Sequence, residues 1–358
     1  MISFICGHLC LRIKIIRISI YNYIKQFIRL LLTSALLIFS CPVFADHASP
    51  SFETGSSGAI NTLSGTTMPK GKLVFGIGTQ FLELDDLSDQ TLEDLGTLNE
   101  EVHSVNNLLN ASANVAYGFS DNLTLGFSLP YVERTDIREA HNDAGVGEAE
   151  FAGDSSGLGD MSLFGQYRFY KSESIDSAII VGLKTPTGDN SEKEVGGGLF
   201  EAEQQPGSGS WDPFAGVSFN KSWGRMGISS NLLYTFVTEG TQDTDLGDIF
   251  NYNLAASFRT YHLKERHDHD HHEQGSSLVD YLDVVLELNG DHRQKVDING
   301  EKAAHSGGHT LYISPGVRVG IGHRWSIYTS FGIPIVNDLN GVQSEPEYRF
   351  IGGISTTF

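Results

Sequence analysis

The densest group of chemistry-bearing side chains in the 358-residue sequence is R-H-D-H-D-H-H-E at residues 266–273. His267, His269, His271 and His272 are interleaved with Asp268, Asp270 and Glu273. Imidazole mixed with carboxylate is a donor set for a borderline divalent ion such as zinc, copper or nickel. The alternative is a polar low-complexity turn that meets metal only incidentally. A second group is dispersed: Lys72, Arg168, Lys184, Arg259, Arg318 and Arg349, with Asp283 and Glu287, occupy the polar positions of segments whose other positions are apolar. Charges so placed either form a basic stripe that favours anionic or carboxylated solutes or pair with acids to brace a wall. No motif for nucleophilic hydrolysis is present, and the glycines of Gly157-Leu-Gly-Asp160 and Gly76-Ile-Gly78 precede no helix that would cradle a nucleotide. An enzyme is therefore not expected, and no cofactor is implied beyond the divalent metal at the histidine-rich turn.

The elements that must position these residues are short strands. From Lys70, the side chains Leu73, Phe75, Ile77, Thr79 and Phe81 alternate with Lys72, Gly76, Gly78 and Gln80. Leu123, Leu125, Phe127, Leu129 and Tyr131 alternate with Asn122, Thr124, Gly126 and Ser128 even more cleanly, the period-two pattern of a strand with two different solvents on its faces. Twelve such segments can be counted, the last running from Glu347 to the terminal Phe358. Short turns such as Ser120-Asp121-Asn122 alternate with long connections over 85–104, from strand three to about Gly157, and over 188–209. That arrangement predicts an all-β chain: a transmembrane antiparallel β-barrel of about twelve strands, with long loops outside and short turns in the periplasm. Strand parity puts the histidine-rich turn on the periplasmic side. Pro130, Pro186 and Pro334 fall late in strands and mark bulges, strand ends or an opening in the wall. Aromatic residues gathered near the short turns, among them Tyr117, Phe119, Phe169, Tyr170, Trp223 and Trp325, suit a headgroup boundary.

The amino-terminal 45 residues carry Arg12, Lys14, Arg17, Lys25 and Arg29, then an apolar run from Leu30 to Phe39 and Val43-Phe44-Ala45. This is the pattern of a secretory signal peptide, so 1–45 is expected to be removed. All three cysteines, Cys6, Cys10 and Cys41, fall within it, leaving a disulfide-free remainder. Residues 46–69 form a small, polar segment, flexible or folded into the lumen, and 70–358 form the barrel. The whole chain carries a net charge of −20. Five of its 24 basic residues and none of its 44 acidic ones lie in the leader, so the remainder stands at −25 and is a poor partner for nucleic acid.

Five phrases carry a family resemblance: Met68-Pro-Lys-Gly-Lys72, Gly118 to Tyr131, Gly157-Leu-Gly-Asp160, Leu183-Lys-Thr-Pro-Thr-Gly188 and Gly207 to Arg225. In these the chain resembles a group of outer-membrane transporters, the family named for the meta-pathway of phenol degradation. The resemblance implies a barrel in the bacterial outer membrane that moves small solutes, often hydrophobic or aromatic. The expected partners are outer-membrane lipid, the small solute, and the barrel assembly machinery, which would read the final strand ending in Phe358. A metal-binding envelope barrel that uses the histidine-rich turn is the other function open to this sequence.

Overall fold

The computed structural model describes residues 59–262, 279–322 and 324–358, without the side chains of residues 261 and 262. The leader expected over 1–45, the first part of the 46–69 segment and the histidine-rich turn at 266–273 lie outside the described residues.

The long strands, leaving aside four two-residue ones, are β1 (Leu73–Asp85), β2 (Asn107–Ser120), β3 (Leu123–Asp143), β4 (Val146–Leu158), β5 (Ser162–Lys171), β6 (Ile175–Lys184) and β7 (Asp212–Trp223). They continue with β8 (Met226–Thr235), β9 (Ile249–His262), β10 (Val279–Arg293), β11 (Gly308–Ile321), β12 (Trp325–Leu339) and β13 (Glu345–Thr357). Each pairs antiparallel with its sequence neighbour, except that β4 and β5 both pair with β3 rather than with each other, and β1 pairs with both β2 and the final strand β13. The ring closes where Leu123–Ser128 of β3 pairs with Ser162–Tyr167 of β5. Because β4 and β5 follow one another along the same edge of β3, they make a single interrupted stave. The barrel therefore has twelve staves.

Alternation decides which side chains meet which solvent. In β1, Phe75 and Ile77 are 41% and 48% exposed while Val74 between strand start and Phe75 is 3% exposed. The same outward apolar row continues through Leu125, Val181, Leu232, Leu286, Ile327 and Phe350. An apolar surface this continuous is a lipid-facing belt, since soluble proteins do not carry one. Tyr117, Phe119, Phe169, Tyr170, Trp223, Trp325 and Phe358 are exposed at the short-turn end, where indole and phenol rings suit the headgroup boundary. Inside, Ser, Thr, Asn, Gln and ion pairs predominate among the buried polar residues.

Two long connections expected from the sequence are ordered elements. The 85–104 stretch contains the helix α1 (Asp89–Thr97), capped by Ser88, whose hydroxyl accepts from the Thr91 amide at 3.2 Å. The supposed loop ahead of Gly157 is a hairpin: β3 runs on to Asp143, turns at Ala144 and Gly145, both at positive φ, and returns as β4. A two-residue turn of that hand matches the twist of its flanking strands. The helix lies on this hairpin. Pro130 therefore does not end its strand; it sits where the edge pairing of β3 passes from β5 to β4, its carbonyl accepting from Gly159 at 2.9 Å. Pro186 follows the end of β6, and Pro334 stands at a register shift between β11 and β12.

Candidate functional site: the barrel lumen

Ahead of β1 the chain enters the bore. The Thr67 hydroxyl donates to the Asp121 carbonyl at 2.7 Å, and the Met68 amide donates to Thr124 Oγ1 at 2.8 Å. Gln166 Nε2 donates to the Ser64 carbonyl at 2.5 Å, and the Leu63 amide donates to Asn231 Oδ1 at 2.9 Å. At the inner end, the amides of Ile60, Asn61 and Thr62 converge on the Glu287 carboxylate at 3.0 to 3.2 Å, and Arg318 donates to the Ala59 carbonyl. A peptide with no ladder of its own must have its amides satisfied by side chains, and a carboxylate can accept several at once.

The same strap explains why the wall has apolar patches on its inner face. Ile60 packs with Val285, Tyr328 and Ile351; Leu63 packs against Phe164, Ile180, Phe214 and Leu233; Met68 packs with Val74 and Ala116. Each of these three clusters thus receives one side chain of the strap. At the opposite end, the connection 185–211 folds inward and is pinned there. Arg134 Nη1 donates to the carbonyls of Gln204 and Gln205, both at 3.3 Å, and Gln205 Nε2 donates to the Phe200 carbonyl at 2.8 Å.

Between strap and roof lies a chamber partly continuous with solvent. Its floor includes Phe214 and Ile351, the residues that hold the strap, and its roof includes Pro206 and Ser208. Leu108, Pro130, Val132, Val237, Leu246 and Ile249 give it an apolar wall, while Arg134, Lys184, Arg293, Asp160 and Asp212 supply charge. Lys184 Nζ stands 2.6 Å from Asp212 Oδ2 and 3.3 Å from Asp160 Oδ2. Asp160 in turn accepts the Ser208 amide and hydroxyl at 2.8 and 2.5 Å, tying the roof to the wall.

The dispersed charges read from the sequence fall into several settings. Arg168 lies 3.3 Å from Asp176 near the short-turn end, and Arg259 makes a two-point contact with Asp283 at 2.7 and 2.8 Å. Glu287 and Arg318 hold the strap, Arg349 donates to Asn289 at 2.9 Å with its guanidinium over the Tyr312 ring, and Lys184 faces the chamber. Lys72 precedes β1 and is exposed at the short-turn rim, so the alternation that reaches it in sequence does not carry it into the bore. His267, His269, His271 and His272 lie outside the described residues, between β9 and β10 in the sequence. Sequence reasoning missed Asp160, Asp212, Arg134 and Arg293. Asp160 belongs to a quoted motif and Asp212 directly faces Lys184 in the β6–β7 register, a cross-strand signal that could have found it.

Outside the membrane belt, the long loops gather a second charged group. His103 Nε2 lies 3.5 Å from Glu201 and 3.7 Å from Glu139. Burial disfavours its cation, but Glu201, Glu139, Glu203 and Glu101 outweigh that and raise its pKa above the usual imidazole value. Burial also raises the Glu139 carboxyl, opposed by His103 and reinforced by Glu194, Glu201 and Glu150.

A closed ring of twelve antiparallel staves with an apolar belt and a polar bore is an outer-membrane β-barrel. Residues 88–268, half of the chain, match the family described as "Putative MetA-pathway of phenol degradation", and the protein belongs to that family. No curated protein sequence matches it. Among solved structures, an outer membrane channel from Pseudomonas putida F1 superposes with a TM-score of 0.54 at 12% identity, covering 84% of this chain and 100% of that one. The CymD monoaromatic hydrocarbon channel gives 0.40 at 11% identity over 81% and 88% of the two chains. The Ralstonia pickettii toluene transporter TbuX gives 0.39 at 10% identity over 81% and 90%. The first of these shares the barrel fold, and the belt that the fold presents places the protein in the bacterial outer membrane.

Proposed function

We propose that the protein is a passive facilitator for small amphipathic solutes, aromatic or carboxylated, which pass from the long-loop mouth through the chamber and leave past the strap. The observation that carries this reading is the chamber's lining. An apolar wall of Leu108, Val132, Phe214, Val237 and Leu246 faces three cationic and two anionic side chains, which suits a molecule with one greasy end and one charged end better than a sugar. Membership of a family described by phenol degradation supports an aromatic cargo. Transport rather than catalysis is supported by the channel architecture itself.

Passage requires the strap to shift, because it fills the bore below the chamber. The test is a liposome-swelling series with benzoate, phenol, arabinose and glycine, run on the full protein and on a variant lacking residues 59–69. Benzoate and phenol are expected to enter faster than arabinose, and the deletion to speed all four. A variant without the strap that still admits none of them would refute a channel. Entry of arabinose as fast as benzoate would refute the selectivity.

A further inference from the structure

We propose that the long-loop end of the barrel holds one divalent cation of the zinc class between His103, Glu201 and Glu203. The ligand atoms of these three residues all lie within 4.8 Å of one another. The separation of His103 Nε2 from Glu201, 3.5 Å, exceeds that of a charge-assisted hydrogen bond, about 2.8 Å. It comes close to the roughly 3.3 Å edge between ligands that each sit about 2.0 Å from a tetrahedral zinc. Imidazole and carboxylate oxygen are both zinc donors, so the set fits the ion in chemistry as well as in spacing.

The charges around the site favour a cation. Glu139, 3.7 Å from His103 Nε2, stands directly opposite Glu150 in the β3–β4 ladder, a like-charge pairing that costs stability when nothing lies between. On its other side Glu139 faces His103, a single imidazole among Glu101, Glu139, Glu201 and Glu203. A bound dication beside His103 offsets this repulsion.

The three ligands come from two segments: the connection after α1, where His103 pairs with β3, and the inward-folded roof. An ion there cross-links the roof to the wall just beyond Gln204 and Gln205, which Arg134 already grips. Its chemistry does not depend on what the chamber carries.

The histidine-rich stretch would mask this site in any simple titration, so the test begins with the full chain bearing Ser in place of His267, His269, His271 and His272. Calorimetric titration of that protein with zinc chloride is expected to show one ion per chain. Adding His103→Ala, or Glu201→Gln with Glu203→Gln, is expected to weaken binding at least about tenfold. Heat-modifiable gel migration confirms that each variant is a folded barrel, and the two independent variants guard against the failure of one. No stoichiometric binding in the serine background, or binding indifferent to both variants, would overturn the proposal.

Discussion

Glu287 illustrates how one side chain can hold a segment with no secondary structure. Three consecutive amides end on its carboxylate, and the group is buried at 1% exposure. Glu287→Gln keeps the shape but replaces one acceptor oxygen with a donor that faces those amides. Leaving a buried group unsatisfied costs on the order of 1–3 kcal/mol, and here the penalty falls on the strap while the barrel ladder stays intact. Single-channel conductance in planar bilayers is therefore expected to rise several-fold, with thermal stability of the barrel little changed; conductance equal to that of the parent protein would show that Glu287 does not hold the gate. Lys184 tests the opposite face of the chamber. Lys184→Met leaves Asp160 and Asp212 without their cation, and removing one partner of a buried pair costs up to about 3–5 kcal/mol, less here because Lys184 itself is a quarter exposed. Urea unfolding in vesicles should show the loss. Reversal potentials should shift toward cations, because two carboxylates then face two guanidinium groups where three cations stood.

At the scale of elements, α1 and the β3–β4 hairpin form a unit outside the membrane. Arg138 binds Asp86, donates to Asp89 at 2.5 Å and to the Leu87 carbonyl at 2.9 Å, so it fixes the start of the helix. Gly96 faces the hairpin so closely that a Cβ there would stand 2.4 Å from the His141 carbonyl oxygen. Gly96→Val is therefore expected to lift the helix off the hairpin and open residues 88–99 to limited proteolysis, while gel heat-modifiability stays that of the parent; unchanged protease resistance would count against this packing. Why this unit was not legible follows from its solvent. Leu123 to Tyr131 alternates cleanly because lipid wets one face and the bore the other. Past Val132 water wets both faces, and Glu133, Thr135, Glu139, Glu148 and Glu150 show no contrast between them, so a strand looks like a loop. The helix hid in the same way. Ser88, Leu92 and Leu95 carry its cap and apolar stripe, but five acidic residues between Asp85 and Asp94 make the stretch look like solvated chain. The strap escaped for another reason: Ile60, Leu63 and Met68 have no repeating period because each fits a separate pocket of the wall, and those of Ile60 and Leu63 are formed by strands remote in the sequence.

For the whole molecule, the decisive quantity is the difference between two solvents on either side of a single sheet. Leu286 and Glu287 are adjacent in β10, yet the first is 49% exposed on the belt and the second is buried in the bore. In water that arrangement would be unstable, because apolar side chains such as Phe75, Ile77, Leu286 and Ile327 would stand in solvent around the entire circumference. In a bilayer each of these is buried by lipid, and the ladder leaves no open edge because β1 pairs with β13 and β3 with β5. The sign of a substitution must then depend on strand parity alone. Leu286→Arg places a guanidinium in hydrocarbon and is expected to destabilise the barrel by about 2–4 kcal/mol near mid-membrane. Val285→Arg, one residue away, faces the strap and Tyr328, so its cost comes from overpacking and is expected to fall largely on the strap, showing as raised conductance. Folding each variant into vesicles of defined thickness separates the two effects. The Leu286→Arg penalty should shrink in thinner bilayers, where the guanidinium reaches the interface sooner, whereas the Val285→Arg effect should not depend on lipid length. A Leu286→Arg penalty indifferent to bilayer thickness would mean that this face of β10 does not meet lipid, and the division of solvents on which the chamber, the strap and the outer loops all depend would fail with it.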